Sequence, residues 1–462
     1  KRVKFRMKQE ISKNSKERLK EKARKISVIE GSAYSVSEGF GMRYITPYAL
    51  SMGANNTYIG FLSTFPSLIG NLLQLFSAKS IEKYSRKKIV FISVILQAFM
   101  WLSLIGVGSL FFVFDLNQQI SNILLIATYT LLIVFGSIAG PAWSSWMKDI
   151  VPKKSAEYFA RRSTIAGGVV LISMLIAGFI LDYFKQTKIF IGFIILFSFS
   201  FIFRSISATL FLKKYEPKLI LEKEYYFSFW QFLKEMPKNN FGKFVIFVSF
   251  FLGATAIASP FFAVYMLKYL NLSYVSFTVI IMSSTITSLI FMPLWGKFAN
   301  RYGNLKVIRI CAIFIPAIPA LWIFSKFFNT NALLFLVIYL ILIEAFSGFI
   351  WAGFNLSSAN FIYDAVTKQR MTLCVSYSNV LSAVSIFVGA TLGGLLASSK
   401  FIFLSLNSML FIFLLSAFAR LITVLIILPK IKEVRNVKKF EIREVREKIM
   451  SYLPVGILKI KS

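Results

Sequence analysis

Residues 189–212 read IFIGFIILFSFSFIFRSISATLFL, and Arg204 is the one charged residue in this stretch. About 20 apolar residues in a helix cross the ~30 Å hydrocarbon core of a bilayer. Only a helix satisfies its own backbone polar groups inside lipid. The stretch therefore predicts a transmembrane helix.

Eleven further stretches have the same character. Over the whole chain, hydrophobic residues make up 56% and charged residues 16%, whereas soluble domains are about 25% charged. We expect an all-α polytopic membrane protein with twelve transmembrane helices. The predicted spans are 27–50, 57–78, 89–112, 119–147, 163–184, 189–212, 244–268, 273–296, 306–326, 332–362, 373–397 and 404–428.

The basic residues are distributed unevenly along the chain. Of 53 Lys and Arg, 45 lie in the two termini and alternate loops, 5 in the other loops and 3 inside spans. This asymmetry predicts a multi-pass protein of the cell membrane with both termini in the cytoplasm. We expect the excess charge to meet anionic lipid headgroups. Because the charges follow the membrane boundaries, they do not predict nucleic-acid binding.

The composition also excludes several kinds of site. The chain has no histidine, and its two cysteines, Cys311 and Cys374, fall inside predicted spans. Histidine-based metal sites, Ser-His triads and a disulfide framework are therefore not expected. No Walker-type sequence occurs. We expect no enzyme activity, no metal, no cofactor and no ATP-driven transport.

A long basic internal loop divides the chain into two parts. We expect a basic cytoplasmic tail at 1–26, a six-helix bundle at 27–212, a cytoplasmic loop at 213–243, a second six-helix bundle at 244–428, and a basic cytoplasmic tail at 429–462.

The two predicted bundles repeat each other in sequence. TYIGF at 57–61 recurs as SYVSF at 273–277, an offset of 216. Asp149 recurs as Asp364 at an offset of 215. A shared offset predicts two structurally related halves.

The sequence GKFANRYGNLK at 296–306 resembles the GxxxDRxGxxK loop signature of the major facilitator superfamily, with Asn300 in place of Asp. Residues 140–168 and 348–394 also resemble prokaryotic members. The resemblance implies two six-helix bundles that rock about a solute site at mid-membrane, usually as a monomer. In that family, charged residues of the signature clamp neighbouring helix ends on the cytoplasmic side. The residues expected in this gating clamp are Glu82, Arg86, Asp149, Asn300, Arg301 and Asp364.

Charges inside the spans mark candidate functional residues, because a charge at the centre of a span costs at least ~2.5–3.5 kcal/mol. Glu30, Tyr34 and Glu38 share one helical face of span 1, and Arg43 follows. Because Glu38 lies near mid-membrane, we predict that it couples protons to solute movement or pairs with a cationic solute. The alternative is an internal ion pair, with Arg43 or Arg204, that only fixes packing.

Span 10 places Glu344, Trp351 and Asn355 on one helical face. We predict that Glu344 forms a second proton or cation site. The alternative is that its carboxyl group only makes a hydrogen bond to a neighbouring helix. Trp351 and Asn355 are predicted to contact solute, although a packing role for Trp351 fits equally well.

Several other residues are predicted to have structural roles. Arg204 and its repeat Arg420 are expected toward the cytoplasmic side, within reach of the membrane interface. Trp143 and Trp146 are expected to anchor span 4 at that interface.

Together these features predict a secondary active transporter of a small organic solute, coupled to protons through Glu38 and Glu344. One alternative is an exporter of amphipathic drugs or lipids. Another is a solute sensor with the same fold that does not transport.

Overall fold

A computed structural model describes residues 2–151, 156–185, 188–217, 227–328, 333–367, 370–399 and 407–437. The regular structure in these ranges is helical, and they contain no strand. The helices are α1 (Arg2–Phe40), α2 (Ile45–Ser51), α3 (Asn56–Lys83), α4 (Arg86–Phe112), α5 (Gln118–Ile150), α6 (Ala156–Phe184), α7 (Ile189–Leu212), α8 (Phe229–Glu235), α9 (Asn240–Ala256), α10 (Phe261–Val264), α11 (Tyr274–Tyr302), α12 (Asn304–Phe314), α13 (Ala317–Ile323), α14 (Leu333–Ala365), α15 (Met371–Ser398) and α16 (Ser408–Ile426).

Ten helical segments within the described ranges are long and apolar enough to cross a membrane. The two predicted spans not among them, 27–50 and 57–78, coincide with α1 to α2 and with α3, whose sequences are more polar. The expectation of an all-helical multi-pass protein is confirmed. The described part of the predicted N-terminal tail is helical and belongs to α1. Most of the predicted tail at 429–462 lies outside the described residues.

Three predicted spans are interrupted rather than continuous. Span 1 breaks after Phe40, span 7 breaks before Pro260, and span 9 breaks at Pro316. Proline has no N–H to donate and so ends a regular helix. At the first break, a Cβ on Gly41 would lie 2.3 Å from Trp101, so only glycine lets the chain pass this close.

Equivalent serines hold the first two breaks. Ser200 Oγ lies 3.3 Å from the carbonyl oxygen of Ser37, near the end of α1, and 3.0 Å from that of Leu196, so its one proton is shared between them. Ser416 Oγ, at the repeat position, donates to the carbonyl oxygen of Ala254 at 2.7 Å, near the end of α9. The two halves therefore use the same contact at corresponding positions.

Arg420 links the second and third breaks. Its guanidinium donates to the carbonyl oxygens of Ile315 at 3.3 Å and Thr255 at 3.4 Å, and to Ser416 Oγ at 3.0 Å. Both carbonyl groups also accept a backbone N–H, Ile315 from Ile318 at 3.2 Å and Thr255 from Ser259 at 3.1 Å. The arginine adds one charge-assisted hydrogen bond at each break.

The sequence predicts that the intramembrane arginines of α7 and α16 reach the membrane interface. This prediction is wrong. Arg204 and Arg420 are both buried. Arg204 Nε donates to Gln97 Oε1 at 2.7 Å, and Nη1 donates to Ser207 Oγ at 3.3 Å. Polar groups on neighbouring helices thus satisfy the guanidinium groups internally.

The described residues up to 217 are called the N-terminal half, and the described residues from 227 the C-terminal half. The main contacts between them join α3 to α15 and α6 to α11. One end of the molecule, the basic end, carries Arg86, Asp149 and Asp364. The opposite end carries Asp182 and Asn56.

Candidate functional site

The halves meet at the opposite end through a helix N-terminus. The carboxylate of Asp182 in α6 accepts hydrogen bonds from the backbone N–H groups of Tyr274 at 2.7 Å and Val275 at 2.8 Å. These groups belong to the first turn of α11, where unpaired N–H groups and the helix dipole favour an anion. A charge-assisted cap therefore joins the halves.

Further polar contacts surround this cap. The hydroxyl groups of Tyr44 and Thr278 lie 2.6 Å apart. Asn56 Nδ2 donates to the carbonyl oxygen of Ala397 at 2.7 Å. The hydrogen bonds that we identify between described residues of the two halves thus gather at the opposite end.

At the basic end, the N-terminal half carries an ion-pair cluster of its own. Arg86, which is buried, pairs with Asp149 at 2.6 Å and donates to the carbonyl oxygen of Pro217 at 2.7 Å. Glu216 accepts from Ser85 Oγ at 2.6 Å. The cluster ties the start of α4 and the end of α5 to the segment after α7.

The C-terminal half has a matching cluster. Asp364 accepts from Asn304 Nδ2 at 2.7 Å and pairs with Arg435 at 2.7 Å. Glu433 accepts from the backbone N–H of Leu305 at 2.8 Å. Here the segment after α16 ties the end of α14 to the start of α12. Each cluster lies within one half.

The residues expected in the gating clamp are therefore only partly brought together. Arg86 and Asp149 form a pair, whereas Asp364 meets Asn304 rather than Asn300, which is exposed. The guanidinium of Arg301 lies 5.1 Å from the ring of Tyr302. The side chain of Glu82 lies outside the described residues.

Glu38 and Arg43 form an ion pair at the break of span 1. Arg43 Nη2 lies 2.9 Å from Glu38 Oε1, and the side chains of Arg43 and Glu38 are 42% and 25% exposed, respectively. Tyr34 and Tyr129 lie close to the pair. The carboxylate is thus accessible to water and held by one cation.

Arg204 makes no ion pair with Glu38. Its guanidinium lies over the ring of Tyr34, 4.5 Å from the ring centre. Tyr34 therefore separates a buried cation from the exposed Glu38–Arg43 pair.

A second charged cluster is buried deeper in the N-terminal half. Glu30 accepts from Ser207 Oγ at 3.3 Å and lies 3.7 Å from Arg162 Nη2. Arg204 and Lys214 also lie near this carboxylate. Three cations thus surround one acid in the interior.

Lys214 is the least satisfied member of this cluster. It is 0% exposed, and its ammonium makes no hydrogen bond with a described residue. Its Nζ lies 5.0 Å from the ring of Trp146, 5.2 Å from Phe211 and 5.9 Å from Trp143. Cation–π contact replaces only part of the lost hydration. Burial lowers the pKa of Lys214 to about 8.

The two tryptophans at the end of α5 therefore do more than anchor the helix. Trp146 is buried and donates its indole N–H to the carbonyl oxygen of Tyr215 at 2.8 Å. Trp143 lies 4.8 Å from the guanidinium of Arg162. Both rings face cations rather than lipid headgroups.

In the C-terminal half, the candidate residues of α14 lie in different environments. Glu344 lies beside Trp322 and Ser284 of its own half, with no contact to Glu38. Trp351 packs against Phe354 at a ring separation of 5.4 Å and remains partly exposed. Asn355 is exposed.

Sequence reasoning missed Asp182, Thr278 and Lys214. Nothing in the sequence shows that Asp182 faces a helix start in the other half. Lys214 lies in the basic loop that follows the predicted span 189–212, and no sequence signal distinguishes it from the other lysines of that loop.

The described residues contain no group of three or more His, Cys, Asp or Glu side chains arranged to hold a metal. Chemically, the site offers a water-accessible ion pair, partly exposed aromatic and amide groups, and a joint between halves at one end.

Solved transporters share this fold. A bacterial homologue of the iron transporter ferroportin, in an inward-facing state, is similar with a TM-score of 0.65 and 13% identity, covering 89% of this chain and 98% of that one. The nucleoside transporter NupG is similar with a TM-score of 0.63 and 14% identity, covering 90% and 100%. Identities this low show the fold alone.

A sequence comparison with curated proteins finds no match. The family model of the Major Facilitator Superfamily, in contrast, matches residues 33–390 and 244–458. These matches cover most of the chain and include the loop signature at 296–306. The chain therefore belongs to the Major Facilitator Superfamily, a family of membrane transporters.

Proposed function

We propose that the protein is a secondary active transporter that moves a small organic solute across the cell membrane by alternating access. The observation that carries this proposal is the distribution of polar contacts. Among the described residues, the hydrogen bonds between the halves lie at the opposite end. At the basic end there are two charge clusters, one inside each half, and neither joins the halves. Twelve transmembrane helices in two related bundles would rock about this joint.

The position of the joint supports a cytoplasm-facing opening. The hydrogen bonds found between described residues of the two halves lie at the opposite end. Basic residues concentrate at the basic end, which the positive-inside rule assigns to the cytoplasm. Both termini are then cytoplasmic.

Glu38 is the proposed coupling group. A proton on its carboxylate would remove the charge that holds Arg43 at 2.9 Å. Arg43 belongs to the short helical turn Met42–Tyr44, and Tyr44 contacts Thr278 of the other half. Protonation at Glu38 would therefore loosen the turn that supports the closed end. Glu344 is proposed as a second carboxylate of this kind.

Solute would contact Glu38, Arg43 and Tyr34 from the N-terminal half, and Trp351 and Asn355 from the C-terminal half. These side chains combine one ion pair, two aromatic surfaces and an amide. A small organic molecule with polar groups suits such a set. The basic-end clusters around Arg86 and Asp364 would stiffen each half during rocking.

Contact with anionic headgroups is proposed for the loops at the basic end. Trp230 on α8 is 73% exposed and lies near Lys234 on the same short helix. A tryptophan beside lysine is typical of the membrane interface. A monomer is proposed as the functional unit.

Transport can be tested before the solute is identified. Proteoliposomes would be incubated with a mixture of organic solutes under an imposed pH gradient, and their contents identified by mass spectrometry. At least one solute should accumulate only with protein and gradient, and Glu38→Gln should abolish that accumulation. No accumulation above protein-free liposomes would contradict the proposal and favour a sensor.

A further inference from the structure

A cavity of about 300 Å³ lies between the two halves. On one side, α3 contributes Ser67 and Asn71. On the other side, α9 contributes Phe244 and Val248, and α15 contributes Asn379. The cavity does not include the Glu38–Arg43 pair. Its volume lies at the small end of the range for organic ligands, about 300–1,000 Å³.

Aromatic rings close the cavity toward the opposite end. The ring of Phe387 on α15 lies 5.5 Å from Phe61 and 6.0 Å from Phe65, both on α3. The cavity begins beyond these rings along α3. A molecule in the cavity would therefore rest against the joint between the halves.

None of the described side chains that line this cavity is charged. Phe244 and Val248 give it an apolar wall. A charged solute held here would lose hydration without a counter-ion, which costs several kcal/mol. The lining therefore selects against ions and favours uncharged molecules with an apolar body.

The polar groups of the cavity retain hydrogen-bonding capacity. Asn71 Nδ2 donates to the carbonyl oxygen of Ser67 at 2.8 Å, and its Oδ1 takes part in no hydrogen bond between described residues. Asn379 is exposed, and no hydrogen bond joins its side chain to another described residue. The cavity thus offers one amide from each half.

We infer that this cavity is a second contact site for the solute, apart from the Glu38–Arg43 pair, and that it takes an uncharged solute with an apolar body and hydrogen-bonding groups, held between Asn71 and Asn379. The inference rests on the proposed function and specifies the solute class. Since the amides belong to different halves, a solute that bonds both stabilises the arrangement in which they face one cavity. Binding would thereby bias the position of the halves.

A matched series of aromatic probes tests this inference. We would measure thermal unfolding of the protein in lipid nanodiscs with p-nitrophenyl glucoside, p-nitrophenyl phosphate and 2-(4-nitrophenyl)ethylammonium, which share the nitrophenyl ring and are neutral, anionic and cationic, respectively. Uridine supplies a second uncharged ring with hydroxyl groups. A ligand that binds only the folded protein raises its unfolding temperature.

An uncharged probe should stabilise the protein, whereas the two charged probes should not. Asn71→Ala and Asn379→Ala should each weaken binding about tenfold, the effect of one lost hydrogen bond. Ser67→Trp, which fills the cavity, should abolish binding. Thr209→Ala removes an exposed hydroxyl on α7 that bonds within its own helix and should change nothing.

Three results would overturn the inference: charged probes that bind as well as uncharged ones, cavity variants that bind like the wild type, or no stabilisation by either uncharged probe. None of these results contradicts the proposed function if proteoliposomes still accumulate solute under a pH gradient. Absence of accumulation would instead contradict transport, even if an uncharged probe binds the cavity.

Discussion

The carboxylate of Asp182 lies 2.7 Å from the backbone nitrogen of Tyr274, so a side chain of one half caps the first turn of a helix in the other. This contact gives the joint between the halves a charged component. Its strength depends on a single carboxylate, and it can therefore be weakened without disturbing the core of either half.

Asp182→Asn should destabilise the closed opposite end. Replacing the carboxylate removes a charge-assisted interaction with two N–H groups, which is worth about 1.5–3 kcal/mol. The population open at that end should rise at least tenfold. The rate at which a maleimide labels a cysteine placed at Thr57 would measure this change. Asp115→Asn alters an exposed acid in a loop and should leave the rate unchanged.

Glu38→Gln should separate binding from coupling. The amide keeps the size of the side chain but cannot exchange a proton or pair as an anion with Arg43. We expect solute accumulation against a gradient to fall to the level of protein-free liposomes, while downhill exchange and folding persist. Glu235→Gln, on the exposed surface of α8, is the control. Uphill accumulation by Glu38→Gln would rule out coupling at this residue.

Lys214 should make stability depend on pH in the alkaline range. Its pKa is about 8 in the folded protein, compared with 10.5 for an unperturbed lysine. Between these values the unfolded chain binds more protons, so stability should rise from pH 8 to 10.5, by about 3 kcal/mol. Thermal unfolding measured across this range should show the rise in the wild type.

Lys214→Met should flatten this pH dependence and stabilise the protein below pH 8, because it removes a buried cation without a hydrogen bond. Lys213→Met alters the exposed neighbour and should retain the wild-type slope. An equal slope in Lys214→Met and the wild type would show that Lys214 keeps its ordinary pKa.

Arg420→Lys should destabilise the C-terminal half. An ammonium cannot reach Ile315, Thr255 and Ser416 together, so at least one charge-assisted hydrogen bond is lost at a cost of about 1.5–3 kcal/mol. The unfolding temperature should fall by several degrees, whereas Arg18→Lys, on the exposed tail, should leave it unchanged. No change in Arg420→Lys would mean that the helix breaks are held by other contacts.

The sequence predicts the membrane helices better than their interruptions. The predicted span 189–212 has the bounds of α7, because a long apolar run with one charge has few alternatives in lipid. The break before Pro260 was not anticipated, since proline also occurs inside continuous helices such as α3, at Pro66. Whether a proline interrupts a helix depends on which neighbours satisfy the freed carbonyl groups.

The candidate site was less accessible from sequence. Helical periodicity placed Glu38 close to Arg43, because the two are near each other along the chain. It could not place Glu344, whose direction depends on how α14 packs against α11 and α13. Nor could it show that Asn304, which was not among the residues expected in the clamp, donates to Asp364, because this contact depends on where α11 ends.

The central claim is that the halves exchange between two arrangements, each closed at one end. Spin labels would be attached to cysteines at Tyr183 and Phe327 for the opposite end, and at Tyr84 and Tyr363 for the basic end, all of which are exposed. The buried Cys311 and Cys374 would first be replaced by alanine. Distances between labels would then be measured in nanodiscs for the wild type and Glu38→Gln.

Glu38→Gln, as a mimic of the protonated carboxylate, should lengthen the distance at the opposite end and shorten it at the basic end. Distances that stay single and unchanged at both ends, or that change in the same direction, would contradict alternating access.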